Sequence, residues 1–364
     1  MTQLAEPTII EAQPSRLGYL PYLDGVRGVA ILMVLAYHAD APFFKGGFIG
    51  VDVFFVLSGF LITSLLIKER DRDGRIDLPH FYTRRALRLL PAVVTLLVVF
   101  LIVSWFVADD FRRSATDALI VLFYGANWAR SFGHSLFALG HTWSLSIEEQ
   151  FYLVWPVAFI LLSRAKLSRT ALVWLLLIVA LCLAVERAAL TLHGAPTERL
   201  YNGLDTHSDA LLIGCSLAFF LSLDGASAVL KAAWIRFAGY AAVAFLLVIA
   251  FVGRFNAPAM FVGGYIAVAI ATAVMIVDLQ ARAGTVLRRV TEWPVLVRLG
   301  RISYGVYLWH FPIYKVLIAL HNQHGWHVRW PLYLFGGGTL AILVAIASYR
   351  FIETPFLRLK RKYQ

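Results

Sequence analysis

The first long apolar stretch of the sequence contains three ionisable side chains, Asp24, Arg27 and His38. At about 100° per residue in a helix, Arg27 and His38 lie about 20° apart around the axis, and Asp24 and His38 about 40° apart. One helix face would therefore carry all three, over roughly 16–21 Å of its length. This polar stripe predicts a channel or a ligand lying lengthwise, although three separate helix-packing contacts would give the same pattern.

A second apolar stretch adds an acid and a hydroxyl group. Asp52, Gly59 and Thr63 follow one another at helical spacing, and Ser58 precedes the glycine. Because consecutive membrane spans run antiparallel, Asp52 and His38 are both expected near the outer ends of their helices. There the carboxylate could orient the imidazole and strengthen it as a base. A purely structural Asp–His hydrogen bond is the alternative interpretation.

An acidic pair lies further along the chain, in the segment HTWSLSIEEQFY. Ser144, Glu148 and Tyr152 are spaced four residues apart and share a helix face. We therefore expect Glu148 to point into the helix bundle, whereas Glu149 is turned away by about 100°. A carboxyl group beside aromatic rings could serve as a general acid or base.

Two segments near the end of the sequence carry weaker candidates. Tyr307 and His310 share a polar helix face with Ser303 and Tyr314. A lone histidine in a membrane helix is as readily a packing contact as a functional group. Glu353 begins a Glu-Thr-Pro sequence that we expect at the inner membrane surface.

The densest group of positive charges lies in the segment FYTRRALRLLP. Arg85 and Arg88 are three residues apart and so face the same side of a helix. A guanidinium group binds phosphate through two parallel hydrogen bonds, which predicts a phosphorylated ligand. On charge alone, an ordinary anchor at the inner membrane surface is the better interpretation.

Composition decides which class of protein must position these residues. Of the 364 residues, 60% are hydrophobic and 15% are charged, against about 45–50% and about 25% in soluble domains. A soluble fold has too little interior for this excess, which indicates an integral membrane protein. The two cysteines lack metal-ligand or redox spacing, so we expect no metal site.

Ten apolar stretches have the length of roughly 20 residues that a membrane span requires. The predicted fold is therefore all-α, with about ten transmembrane helices. These spans are 22–39, 47–67, 87–107, 142–162, 170–190, 206–223, 237–252, 261–277, 302–320 and 332–351. A weaker eleventh stretch, 115–129, contains Asp117 and Asn127.

The distribution of lysine and arginine predicts the orientation. On the side of the segment 67–88 there are 24 such residues, against nine on the opposite side, which places both termini in the cytoplasm. This bias holds only if 115–129 is a partial or re-entrant helix. The polar segment 1–18 and the basic segment 356–364 then form cytoplasmic tails. The net charge of +11 reflects orientation and contact with the lipid bilayer, so no nucleic-acid partner is expected.

Six segments in fixed order resemble the membrane-bound acyltransferase family 3, which contains bacterial O-acetylases of surface polysaccharides. They are YLPYLDGVRGVAILMVLAYH, GGFIGVDVFFVLSGFLIT, FYTRRALRLLP, HTWSLSIEEQFYLVWP, SYGVYLWHFP and IETP, and they span 19–355. Each segment alone is weak evidence for the family, whereas all six in the family order are specific evidence for it. The resemblance implies a transmembrane acyltransferase domain over 19–355, with an acyl-CoA donor reached from the cytoplasm.

The resemblance also implies roles for individual residues. His38 matches the essential histidine that ends the first family helix, and Glu148 matches the acid of the W-S-L-x-x-E block. The arginines of the DG-x-RG and R-x-x-R motifs, which are associated with the donor, correspond to Arg27, Arg85 and Arg88. We hypothesise that His38 is a general base oriented by Asp52 or Glu148, or is itself transiently acylated. Secondary candidates are Asp24, Ser58, Tyr307, His310 and Glu353.

One segment departs from the family pattern. Where members commonly read D-T-R-x-D, this sequence reads Asp205-Thr206-His207-Ser208-Asp209. A histidine replaces the expected arginine, so an anion contact at this position is in doubt.

The implied activity is transfer of an acyl group from acyl-CoA to a hydroxyl group of a glycan or glycolipid acceptor. Acetyl is the expected acyl group because it is the usual one in the family. A surface polysaccharide such as lipopolysaccharide, in a multi-pass protein of the bacterial cytoplasmic (inner) membrane, is the expected setting. Acetyl-CoA would be a co-substrate, with no permanently bound cofactor. A small glycoside or macrolide hydroxyl is an alternative acceptor, and a transporter or flippase with a proton relay is an alternative class. The sequence does not indicate the oligomeric state.

Overall fold

The computed structural model describes residues 19–324 and 330–360, and this part of the chain is helical, with no β-strand. Its eighteen α-helices are α1 (Pro21–His38), α2 (Gly50–Asp73), α3 (Leu78–Val107), α4 (Phe111–Leu122), α5 (Ala126–Ser131), α6 (Trp143–Arg164), α7 (Arg169–Leu192), α8 (Thr197–Asn202), α9 (Leu204–His207), α10 (Asp209–Leu221), α11 (Ala226–Lys231), α12 (Trp234–Val252), α13 (Tyr265–Ala281), α14 (Val286–Thr291), α15 (Pro294–Arg301), α16 (Ser303–His324), α17 (Gly338–Ser348) and α18 (Thr354–Lys360). Short 3₁₀ or π segments extend several of them: Gly47–Ile49, Phe137–Thr142, Met260–Gly264, Leu332–Gly337 and Tyr349–Glu353.

Within residues 19–324 and 330–360, seven helical segments are long and apolar enough to cross a membrane, in agreement with a multi-pass membrane protein. They are Gly47–Asp73, Leu78–Val107, Phe137–Arg164, Arg169–Leu192, Trp234–Val252, Met260–Ala281 and Leu332–Leu359. The other three predicted spans coincide with α1, α10 and α16. Of these, α10 has only 13 residues, about 20 Å at 1.5 Å per residue, and is therefore shorter than a hydrocarbon core of about 30 Å.

The stretch predicted as a partial insertion is broken into two short helices. Helix α4 has 12 residues and α5 has six. The chain turns between them at Tyr124, whose φ of 54° ends the first helix. Neither helix has the roughly 20 residues needed to cross a bilayer.

The start of α3 determines where two of the predicted arginines lie. The Asp77 side chain accepts a hydrogen bond from the backbone N–H of His80, at 3.0 Å, and Pro79 lies in the first turn. These are strong helix-start signals. The helix therefore begins at Leu78 rather than at 87, so Arg85 and Arg88 lie well inside it rather than at its end.

Helix α2 lies at the centre of the bundle and is the most buried of the seven segments. It packs closely on α10 through two glycines. A Cβ atom on Gly59 would collide with the Leu211 carbonyl oxygen, and one on Gly214 with that of Val56. Small residues allow helix backbones to approach this closely in membrane proteins. In contrast, α3 exposes a row of large apolar side chains that includes Ile102 and Phe106, as expected for a helix that faces lipid.

Candidate active site

A cavity of about 320 Å³ lies between α1, α2, α3, α6 and α16. It follows α2 from Lys68 to Val51, about 25 Å at 1.5 Å per residue. Seven of the residues singled out in the sequence line it: Asp24, Arg27, Ser58, Arg85, Arg88, Glu148 and Tyr307. The consecutive helices α1, α2 and α3 and the more distant α6 and α16 thus contribute to one elongated site.

Three arginines supply positive charge to this cavity, each in a different environment. The guanidinium group of Arg27 donates to the Ser303 hydroxyl at 3.3 Å. Arg85 lies over the Tyr152 ring, with its central guanidinium carbon 3.3 Å from the ring centroid. A terminal nitrogen of the same group lies 3.9 Å from a carboxylate oxygen of Glu149. Arg88 makes no hydrogen bond or ion pair within the described part of the chain.

The carboxyl groups of the cavity are held by neighbouring side chains. Glu148 accepts a short hydrogen bond from Ser58. Glu149 lines the cavity beside Arg85, so the expectation that it is turned away from the site is wrong. At one end of the cavity, Asp24 accepts a hydrogen bond from Tyr19 at 2.8 Å and lies 3.7 Å from Arg301.

Two hydroxyl groups form the opposite end of the cavity. Ser144 and Tyr307 are 2.7 Å apart, and Tyr307 donates to the backbone carbonyl of His141 at 2.8 Å. The one hydroxyl hydrogen of Tyr307 is used in the bond to the His141 carbonyl, so in the Ser144–Tyr307 contact Ser144 is the donor. The Tyr307 ring lies 5.4 Å from the rings of both His141 and His310. It therefore separates the cavity from a group of histidines.

In this histidine group, hydrogen bonding fixes the tautomer of His38. Nδ1 of His310 lies 2.7 Å from the Tyr307 carbonyl oxygen and must carry hydrogen, because a carbonyl only accepts. In neutral His310, Nε2 is then an acceptor for Nδ1–H of His38, at 3.1 Å. The same Nδ1–H faces the Val34 carbonyl, also at 3.1 Å. Nε2 of His38 is left unprotonated, without a hydrogen-bond partner among the described residues.

The predicted contact between Asp52 and His38 is wrong. Asp52 instead lies 2.9 Å from Nε2 of His207, whose Nδ1–H donates to the Tyr201 carbonyl at 2.7 Å. Because Nδ1 carries the single hydrogen of a neutral ring, Nε2 and the Asp52 carboxylate would both be acceptors. The contact between them therefore requires one further proton, shared by the pair. Both side chains are completely buried. Asp52 thus belongs to a buried network with His207. The hydrogen-bond partner of His38, a role expected of Asp52, is instead His310.

The predicted polar stripe on α1 is also interrupted. Asp24 and Arg27 line the cavity, whereas His38 does not. Between Arg27 and His38, the side chains of Ile31 and Leu35 are fully buried in the core. The polar path therefore leaves α1 after Arg27 and continues along α2, α6 and α16.

A buried arginine lies beside the segment where the expected arginine is replaced by His207. Arg187 of α7 binds Asp209 through two parallel hydrogen bonds of 3.0 and 2.8 Å. It also donates to the carbonyl oxygens of Thr206 and Phe261. Both charged groups are essentially inaccessible. The guanidinium that this segment lacks is thus supplied by another helix.

The remaining candidate, Glu353, lies outside the cavity lining. It is buried against α16 and accepts a hydrogen bond from Ser348 at 3.3 Å. His141 and Arg187 are not among the site residues predicted from the sequence. Within the described ranges, no group of three or more His, Cys, Asp or Glu side chains is arranged as metal ligands.

An elongated, arginine-lined cavity that ends near a histidine, inside a helical membrane bundle, agrees with the resemblance noted in the sequence. Residues 20–350 match the acyltransferase domain family. The chain belongs to this family, the membrane-bound acyltransferase family 3.

Among proteins of known name, the chain is similar to the peptidoglycan O-acetyltransferase OatA of Listeria monocytogenes. The two are 35% identical over 353 residues, which cover 93% of this chain and 56% of OatA. YrhL of Bacillus subtilis, named as a candidate peptidoglycan O-acetyltransferase, is 36% identical over 354 residues, 93% of this chain and 55% of YrhL. A candidate O-acetyltransferase of Staphylococcus aureus is 36% identical over 359 residues, 94% of this chain and 58% of its own length. The chain thus spans little more than half the length of these relatives. No solved structure matches it.

Proposed function

We propose that the chain transfers an acetyl group from cytoplasmic acyl-CoA to a hydroxyl group of an extracytoplasmic glycan. The observation that carries this proposal is the cavity itself, which brings Arg27, Arg85 and Arg88 into one space with Glu148 and Tyr307. Two relatives are named for O-acetylation of peptidoglycan, which supports a cell-wall or surface glycan as the acceptor class.

We further propose ten membrane spans with both termini in the cytoplasm and the chain in the bacterial cytoplasmic membrane. The excess of lysine and arginine on one side supports this orientation. In this orientation, the end of the cavity near Asp24 and Lys68 would face the cytoplasm, from which a phosphorylated donor arrives, and His38 would lie towards the outer surface.

The donor would occupy the cavity lengthwise. Guanidinium groups bind phosphate by charge-assisted hydrogen bonds, and Arg88 has its donors free for such a contact. The pantetheine arm would then follow α2 towards Ser144 and Tyr307. Because Tyr307 closes the cavity, its side chain must shift before the acyl carbon can reach His38.

The chemical step needs one base. Nε2 of His38 accepts the proton of the acceptor hydroxyl as its oxygen attacks the thioester carbonyl carbon. The carbon–sulfur bond then breaks, and the resulting thiolate takes the proton from the imidazolium. The His38–His310 hydrogen bond keeps Nε2 free for this role, in the way that a neighbouring acceptor commonly fixes a catalytic histidine.

The proposed activity is tested with the purified full chain in proteoliposomes. Radiolabelled acetyl-CoA is supplied with a soluble peptidoglycan fragment, and both thiol release and alkali-labile label on the glycan are measured. We expect the two products in equal amounts. Thiol release without label on the glycan would indicate simple hydrolysis of acetyl-CoA. If neither acetyl-CoA nor the glycan fragment is consumed, acyl transfer is contradicted.

Replacing Arg88 by glutamine should weaken donor binding. A hydrogen bond to a charged group contributes about 1.5–3 kcal/mol, so we expect the KM for acetyl-CoA to rise by roughly 10–100-fold. The kcat should change little, because the arginine acts on a part of the donor that does not react. Steady-state kinetics over a range of salt concentrations provides the measurement, with a weaker salt dependence in the variant.

The matched control for this variant is Arg84→Gln. Arg84 precedes Arg85 on α3 but pairs with Glu69 at 3.2 Å and does not line the cavity. Its replacement should leave the KM for acetyl-CoA unchanged. Equal effects of the two substitutions would show that general surface charge, rather than the cavity, attracts the donor.

A further inference from the structure

Helix α16 continues past the proposed reaction centre towards a second group of cations. Along this helix, Ser303 contacts Arg27, Tyr307 closes the cavity, and His310 contacts His38. Lys315 follows His310 by five residues, about 7.5 Å further along the axis. It therefore lies beyond His38, on the side away from the donor cavity.

Lys315 and His38 lie near the same aromatic ring, that of Phe311. The Nζ atom of Lys315 lies 5.1 Å from the centroid of Phe311 and 5.9 Å from that of Phe137, within the range of cation–π attraction. The His38 ring lies 5.1 Å from the same Phe311 ring. The ammonium group is therefore at most about 10 Å from the His38 ring. No carboxylate of the described residues pairs with it.

Arg130 approaches the same aromatic ring from α5. Its guanidinium donates to the Gly140 carbonyl at 3.0 Å, and its Nε is buried without a partner. A Cβ atom on Gly140 would lie 2.7 Å from this guanidinium and 3.9 Å from the Phe311 ring. Like Lys315, Arg130 has no carboxylate partner among the described residues.

These two cations differ from other partly or fully buried cations on the proposed outer side. Arg187 is paired with Asp209, and Arg199 with Asp205. A cation that is partly removed from water and left unpaired loses hydration free energy, which an incoming anion can restore. Both unpaired cations lie around the ring that contacts His38.

We propose that Lys315 and Arg130 form an anion subsite that selects acceptors carrying a carboxylate or phosphate near the acylated hydroxyl. This inference rests on the proposed function, because it takes His38 as the point where the acceptor reacts. It adds an acceptor class: an acidic sugar or a phosphorylated glycan, rather than a neutral one.

The test uses three probes that share one ring: methyl β-glucoside, methyl β-glucuronide and methyl glucoside 6-phosphate. Binding to the purified full chain is measured by saturation-transfer NMR, which does not depend on turnover. We expect the wild type to bind one or both anionic probes at least about 10-fold more tightly than the neutral one. The tighter anionic probe identifies carboxylate or phosphate as the preferred group. Equal binding of all three, or binding of none, would overturn the subsite.

Lys315→Gln should remove this preference, leave binding of the glucoside unchanged and leave the KM for acetyl-CoA unchanged. Lys315→Arg should keep the preference, because it keeps the charge, and so separates charge recognition from misfolding. Lys45→Gln is the control, since Lys45 is an exposed cation elsewhere on the same side. If anion preference survives Lys315→Gln, the assignment is wrong. Failure of acyl transfer with intact anion binding would instead contradict the proposed function alone.

Discussion

Replacing His38 by alanine should lower the kcat for acyl transfer by about 10²–10⁴-fold, the usual contribution of a positioned general base. The donor site should remain intact, because His38 does not line the cavity that holds the three arginines. The KM for acetyl-CoA should therefore change little. Rates with saturating donor and acceptor, measured on purified protein, would check both quantities.

Two further measurements make this prediction specific. His193→Ala removes an exposed histidine at the end of α7 and should leave kcat unchanged. In addition, a base at His38 predicts that no acyl label stays on the protein when the acceptor is omitted. Label that survives in wild type and is absent in His38→Ala would establish transient acylation of His38 instead. Undiminished transfer by His38→Ala would contradict both roles.

That several of the predicted site residues line one cavity agrees with the sequence prediction because the sequence evidence for them is local. Spacing of three or four residues places Arg85 beside Arg88, and Ser144 beside Glu148, on any α-helix. An ionisable side chain inside an apolar membrane span also almost always faces the interior of the helix bundle. The structure brings these local groups together in one cavity.

The partners of the histidines could not be predicted in this way. His38 and His310 are 272 positions apart, and helical periodicity does not determine how two distant helices rotate against each other. Asp52 had a plausible neighbour in His38 on the adjacent helix. It turns instead towards His207, because close packing of α2 on α10 through Gly59 and Gly214 brings the segment preceding α10 against it. Periodicity alone does not specify this contact.

Helix lengths also differed from the prediction for a physical reason. Apolarity finds the membrane-buried part of a helix and misses its polar turns, so α3 extends nearly three turns before 87, back to the Asp77 cap. The opposite error occurred at 206–223. There, Ser208 separates the four-residue α9 from α10, and Asp209 at the start of α10 is buried in an ion pair with Arg187.

Removal of this arginine is the second large effect that we expect. Arg187→Met should lower the free energy of unfolding by about 3–5 kcal/mol, because it leaves the Asp209 carboxylate buried and unpaired. Unfolding in a graded denaturing-detergent series, followed by circular dichroism, would measure the loss. Arg199→Met is the matched control: its partner Asp205 is 35% exposed, so the loss there should stay below about 1 kcal/mol.

The double variant Arg187→Met/Asp209→Leu separates the charge pair from mere packing. Replacing both charged groups by apolar ones removes the unpaired carboxylate, so much of the lost stability should return. A double variant no more stable than Arg187→Met would show that the hydrogen bonds to Thr206 and Phe261 stabilise the fold instead. Arg187 holds α7 against the segment carrying His207, and His207 contacts Asp52 of α2. Neither Arg187 nor Asp209 lines the cavity, so the folded fraction of either variant should keep its KM for acetyl-CoA. The pair would then support the position of α2 without taking part in donor binding.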